Sequence, residues 1–343
     1  MEFKKIFRDT LEHCYAVMHL KNKEHDFLVV ASEENQPCYA YDLDHHFARR
    51  EVWPQIGGTM TMVQIPGTLD FLATQMFYPG FQAAKCRLVC EKFNGNTWEE
   101  SIVAEVPYVH RFDLIPAEDG GYWYIGCSVA RSKKFTEDWS DPGQIFVGRY
   151  CHQQSVLEDV HTLPKTLTKN HGYYRPAGKE YAFITAADGI YRLYFPKEGK
   201  DWCLEQINER ETSDIVPCDI NGDGKDEYMA IEGFHGDRLR FYDEKFTLMN
   251  AEGLKATPFG HALWGGRVYG KACFIFGYRG GDRKLFCITQ ESGKFCFQEI
   301  DQQAGTSNVL VYEKGKEFFL LAANRESSEV AVYKAEAGKD EAR

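Results

Sequence analysis

The chain has 343 residues, 43% hydrophobic and 14% aromatic, enough apolar volume for a large folded core and too much for a disordered polyelectrolyte. A formal net charge of −11 disfavours nucleic acid as a partner, because such binding rests on neutralising phosphates. No apolar run of about 18 residues occurs, so no membrane-spanning helix and no membrane partner is expected.

Residues 2–9 (EFKKIFRD) read as a lone strand, charged and without the apolar core of an export signal. Together with 11 cysteines, an odd number suited to reduced thiols, this predicts a cytoplasmic protein. A repeat over 12–53 follows, with strands at 14–20 (CYAVMHL) and 26–33 (DFLVVASE). The repeat over 57–105 has MTMVQI at 60–65 and DFLATQMF at 70–77. The repeat over 106–163 has YVHRFDLI at 108–115 and YWYIGCSV at 122–129, then the longest loop, 130–144. The repeat over 168–208 has GYYRPA at 172–177 and EYAFITAA at 180–187. The repeat over 213–250 has DIVPCDI at 214–220 and EYMAIEGF at 227–234. The repeat over 257–300 has HALWGGRVY at 261–269 and KACFIFGY at 271–278. The repeat over 305–334 has SNVLVYE at 307–313, EFFLLAAN at 317–324 and one more strand, before a charged tail at 337–343.

The second runs recur every 44 to 58 residues and are mostly apolar on both faces, as strands buried between neighbouring sheets are. No long amphipathic helix separates them. Four short strands in each period predict an all-β, seven-bladed β-propeller forming one domain over 1–336. The last repeat supplies three strands, so residues 2–9 are expected to complete it and remove an open sheet edge.

Residues 219–227 read DINGDGKDE. Asp219, Asn221 and Asp223 offer oxygens at alternate positions. The Lys225 carbonyl and Glu227 complete a set suited to a hard cation such as Ca²⁺. The loop joins two strands and lacks the glutamate an EF-hand needs at its twelfth position, which is Ala230. It resembles the calcium loops of FG-GAP or VCBS-type propeller repeats, and that resemblance implies a structural Ca²⁺ in the fifth blade.

Aligning the starts of the first strands brings together His13, Met60, His110, His171, Asp214, His261 and Asn308. The loops after the second strands begin with Glu33, Tyr78, Arg131, Asp188, His235, Arg279 and Arg325. This predicts one face rich in His, Arg and aromatic residues, suited to an acidic oligosaccharide: arginine pairs carboxylates and aromatics stack on sugar rings. The chain is similar in this to propeller-fold polysaccharide and oligosaccharide lyases. The resemblance implies β-elimination at a uronic acid, with His110 or His171 as base, Tyr173 as acid, and His261 in either role. Arg111, Arg175 or Arg279 would clamp the carboxylate, and Arg131, Trp139, His235, Trp264 and Arg325 would contact substrate. The histidines could instead hold a second divalent metal. The alternative is a non-catalytic propeller scaffold that binds glycan or protein.

Overall fold

The computed structural model describes residues 1–197, 200–249, 251 and 255–337. All but the first residue of the expected charged tail lies outside the described residues. The chain folds as seven antiparallel sheets, the blades of a seven-bladed β-propeller. The first contains Cys14–Lys21, Asp26–Ser32, Cys38–Asp42 and Ala48–Trp53; the second contains Met62–Gln64, Phe71–Gln75, Arg87–Phe93 and Trp98–Glu105. The third runs through Val109–Pro116, Tyr122–Ser128, Ile145–Cys151 and Val156–Thr162, and the fourth through Gly172–Tyr174, Tyr181–Ala186, Gly189–Tyr194 and Cys203–Asn208. The fifth shows three strands among the described residues: Thr212–Cys218, Glu227–Glu232 and Arg238–Tyr242. The sixth contains Gly260–Val268, Lys271–Tyr278, Leu285–Glu291 and Lys294–Asp301.

The seventh sheet is closed as the sequence predicts. Thr306–Lys314, Glu317–Asn324 and Glu329–Glu336 are joined by Glu2–Thr10, which pairs antiparallel with the last strand from Glu2↔Glu336 to Thr10↔Glu329. Lys5 pins the seam, with Nζ 2.8 Å from Asp301 and 2.7 Å from Glu329.

Contacts divide the chain into two compact units. One holds residues 15–173 and 196–201; the other holds residues 1–14, 174–195 and the chain from 202 onward. In the first unit the core runs through Phe27, Val29, Phe71, Ala73 and Val89, with a second cluster around Leu72, Phe112 and Tyr124. In the second unit it runs through Met229, Phe241, Phe274 and Phe276, and through Cys273, Cys287, Leu320 and Tyr333. Every residue of Asp26–Ser32 and of Glu227–Glu232 is buried, whereas the outer strand Val156–Thr162 is half-buried to exposed throughout. This is the gradient expected when second strands lie between sheets and fourth strands face water.

Two first strands are shorter than the sequence predicts. The second sheet's begins at Met62, because Thr74 Oγ1 accepts from the Met60 and Thr61 amides (3.0 and 3.2 Å) in place of a ladder carbonyl. The fourth sheet's ends at Tyr174, two residues before Pro176, whose missing N–H cannot extend a ladder.

Candidate functional site

The first strands share a local device. A residue in the left-handed region often precedes them: His13 (φ 47°), Tyr108 (φ 60°), Phe259 (φ 60°) and Gly305 (φ 60°). The pairing then slips by one residue in four sheets, around His110, Ser213, His261 and Ser307. Such a bulge re-aims the extra side chain out of the pleat. In the unit of residues 15–173, Thr61 Oγ1 donates to the His110 carbonyl (2.9 Å), and His110 Nδ1 lies 3.2 Å from the His171 carbonyl. In the other unit, His261 Nδ1 lies 2.5 Å from the Ser307 carbonyl, and Ser307 Oγ donates to the Cys14 carbonyl at 3.0 Å. Each link ties one sheet to the next through the same position. The functional column expected at His13, Met60, Asp214 and Asn308 is therefore offset by one residue. Cys14, Thr61, Ser213 and Ser307 occupy the equivalent places.

The predicted catalytic groups of the first unit come together but are enclosed. His110 is 2% exposed and His171 fully buried, with ring centroids 4.2 Å apart. His110 Nε2 meets the Tyr15 hydroxyl at 3.4 Å, and Phe77 packs edge-on at 5.3 Å. Arg111 donates to the Met60 carbonyl (3.1 Å), and the Tyr173 hydroxyl donates to Asp113 (2.9 Å). In the second unit, His235 is half-buried, stacked on Phe234 at 4.3 Å and on His261 at 5.5 Å. Arg279 lies over Phe259 (4.5 Å) and pairs with Glu326 at 2.9 Å; Arg325 pairs with the same carboxylate at 2.8 Å. The two guanidiniums hold the Glu326 carboxyl below its ordinary range against the opposing effect of burial. Arg175 is exposed, and Trp264 is half-buried against the apolar cluster around Cys273 and Leu320.

Arg131 and Trp139 lie in the long loop of the third sheet, and there the structure builds a cavity. Its volume is about 450 Å³, and Tyr78, Phe81, Lys85, Tyr108, Lys133 and Phe135 are among the residues that line it. Asp138 organises the loop. Its carboxylate accepts from the Ser140 hydroxyl (2.6 Å), the Ser140 amide (3.1 Å) and the Lys134 amide (3.2 Å), and these bonds hold it at about 2. Arg131 is paired with Asp141. Lys133 is not paired with a carboxylate among the described residues: Nζ sits 3.3 Å from the Trp139 ring centroid, 5.2 Å from that of Phe81, and donates to the Asp138 carbonyl at 2.7 Å. Burial lowers its pKa. The sequence directs attention to Arg131 and Trp139 but not to Phe81 and Lys85. The signal for Phe81 is the FYPGF turn at 77–81, which follows the second strand of the preceding sheet.

The Asp219–Glu227 loop joins the first and second strands of the fifth sheet, as the sequence predicts. Asp219 Oδ1 is buried and accepts no hydrogen bond among the described residues, while Oδ2 pairs with Arg267 at 2.9 Å. Burial and the nearby Asp223 and Asp219 push the Glu227 carboxyl up. The Asn221 amide nitrogen donates to Glu227 (2.8 Å) and to Asp223 (3.3 Å), bridging two carboxylates with a partial charge as a cation would with a full one. Asp219, Asp223 and Glu227 bring carboxylate oxygens to one loop, the donor chemistry that suits a hard cation.

No protein family and no curated protein matches the chain. Solved structures do. The WD40 β-propeller domain of Doa1 is 10% identical, aligning over 99% of this chain and 98% of its own, with a TM-score of 0.62. The β-propeller domain of Cps50 (Swd1) from Myceliophteria thermophila is also 10% identical, over 96% of this chain and all of its own, at 0.62. Virginiamycin B lyase from Staphylococcus aureus is 12% identical, over 98% of this chain and all of its own, at 0.61. Identities this low carry the fold and nothing finer. The chain is a β-propeller scaffold similar in architecture to WD40 domains and to one lyase.

Proposed function

We propose that the protein is a non-catalytic binding propeller whose ligand face includes the loops after the second strands of the second and third sheets. The observation that carries this reading is the contrast between the two sets of groups. The side chains that elimination would need are occupied in holding the fold: His110 and His261 bond carbonyls of neighbouring sheets, and Arg279 and Arg325 share Glu326. The long loop of the third sheet, in contrast, is braced by Asp138 and borders an open cavity. Braced loops on a rigid scaffold are where binding sites concentrate. The lyase reading retains one point in its favour, the fold of virginiamycin B lyase, which bears on architecture only. Ca²⁺ held by Asp219, Asn221, Asp223, the Lys225 carbonyl and Glu227 is part of the proposal, as a clip that stiffens the fifth sheet.

One experiment separates the readings. The protein is incubated with uronic-acid oligosaccharides, with Ca²⁺ or with a chelator, while melting temperature and ultraviolet absorbance are followed. The binding reading expects no absorbance from an unsaturated uronate under any condition. The calcium clip expects a higher melting temperature with Ca²⁺ that is lost in Asp219→Ala, because a ligand that binds only the native state stabilises it. A growing unsaturated-uronate band that disappears in His110→Ala would replace binding with elimination. An unchanged melting temperature on adding Ca²⁺ would remove the clip.

A further inference from the structure

The cavity beside the third sheet's long loop carries a charge opposite to that of the whole chain. The protein has a net charge of −11, yet among the described residues every charged one lining this cavity is a lysine: Lys85, Lys133 and Lys134. None of the three lies within salt-bridge distance of a carboxylate among the described residues: of the loop's acids, Asp141 is used on Arg131, Asp138 on backbone amides and Ser140, and the exposed Glu137, like Asp138, acts on Lys133 only through its longer-range charge. The remaining lining is largely aromatic and aliphatic. Phe135 stands 62% exposed at the rim, and Phe81 packs edge-on to Trp139 at 5.0 Å. Phe135, next to Lys134 in the chain, carries the apolar lining out to the surface.

We propose that this cavity docks an acidic segment of a partner polypeptide, one that carries an aromatic or branched apolar side chain between its carboxylates. This deepens the binding reading above and rests on it. Lys133 is a fixed charge, held over Trp139 and against the Asp138 carbonyl, so little side-chain freedom is lost when it meets a carboxylate. Lys85 and Lys134 are exposed and supply the flanking charges. The apolar side chain of the segment lies against Phe81 and Phe135. A sugar ligand fits this lining less well. Hydroxyl recognition calls for many acceptors, and the lining has no carboxylate among the described residues; the Tyr78 hydroxyl already donates to the Ile56 carbonyl at 2.8 Å.

The test uses the full chain and arrays of short synthetic peptides in which acidic, basic and neutral positions alternate with phenylalanine, leucine or alanine. Binding is read by fluorescence anisotropy against the wild type, the double variant K85E/K134E and F135A, each checked for an unchanged melting temperature. Acidic peptides with phenylalanine or leucine should bind in preference to neutral or basic ones. Affinity should fall at least about tenfold in K85E/K134E and with added salt, and several-fold in F135A. No preference for acidic peptides, or equal binding by K85E/K134E, overturns the inference. Uronic-acid oligosaccharides that bind in place of peptides, and are lost in K85E/K134E, also overturn it while leaving the binding reading intact. Formation of an unsaturated uronate would instead remove the binding reading itself.

Discussion

Glu91 is the residue at which charge and burial are most at odds. It is 1% exposed on the third strand of the second sheet, its partner across the ladder is Glu100, and Oε1 accepts no hydrogen bond among the described residues. Gln75 and Arg87 both bond Glu100 instead. Burial first and Glu100 second push the Glu91 carboxyl up to about 8, so the native protein holds a proton there that the unfolded chain has released. Stability from this group is therefore fully present below about pH 4.5, falls between about pH 4.5 and 8, and is level above. At about 1.4 kcal/mol per unit, the loss across that window is of the order of a few kcal/mol. Chemical denaturation should show the wild type weakening from about pH 5 to 8, with Glu91→Gln flattening that slope. An identical slope in the variant would assign the pH dependence to other groups. Nothing in the sequence marks Glu91. CEKF reads as an ordinary strand edge, and only the register that sets Glu91 opposite Glu100 creates the conflict.

At the scale of the strand, the bulge decides what the histidines do. The sequence puts His110, His171 and His261 in one column, which suggests a reactive face. Ladder slips at His110 and His261 turn these side chains toward the carbonyls of the next sheet. Ser307 and Thr61 make the same kind of bond with hydroxyls. A bulge is not visible in a single sequence, because it inserts one residue without altering the apolar alternation on either side. The Asp219–Glu227 loop is the opposite case, since its spacing is local and stands as written between two strands. The bonding role makes a stability prediction. His110→Ala and His261→Ala should each cost about 1–3 kcal/mol, from a lost hydrogen bond and a vacated buried volume. His110→Asn, which keeps a donor, should recover part of the loss. Equal stability of all three variants and the wild type, measured by urea unfolding, would deny the histidines this role.

For the whole molecule, periodicity carried most of the information. The second runs recur at intervals that only a repeat architecture explains, and all seven fall on second strands. The last repeat's missing strand was legible for the same reason, as a gap in a regular series. The charge reversal at the lysine cavity was not, because Lys85 and Lys133 are brought together by two loops from different sheets. Closure of the seventh sheet gives the most direct test of the repeat logic. Removing residues 1–10 would strip the outer strand from Glu329–Glu336, take away Lys5 from Asp301 and Glu329, and open an edge to other chains. Because Asp301 belongs to the end of the sixth sheet, the loss should reach beyond one sheet. The truncated protein should melt at a lower temperature and aggregate more readily, both seen by calorimetry and light scattering. A synthetic peptide of residues 1–11 added in trans should restore much of the melting temperature, since the strand acts through pairing rather than through chain connectivity. A truncated chain that melts like the wild type would mean that the seam adds little. One that melts lower but ignores the peptide would mean that closure works through the covalent link between the ends.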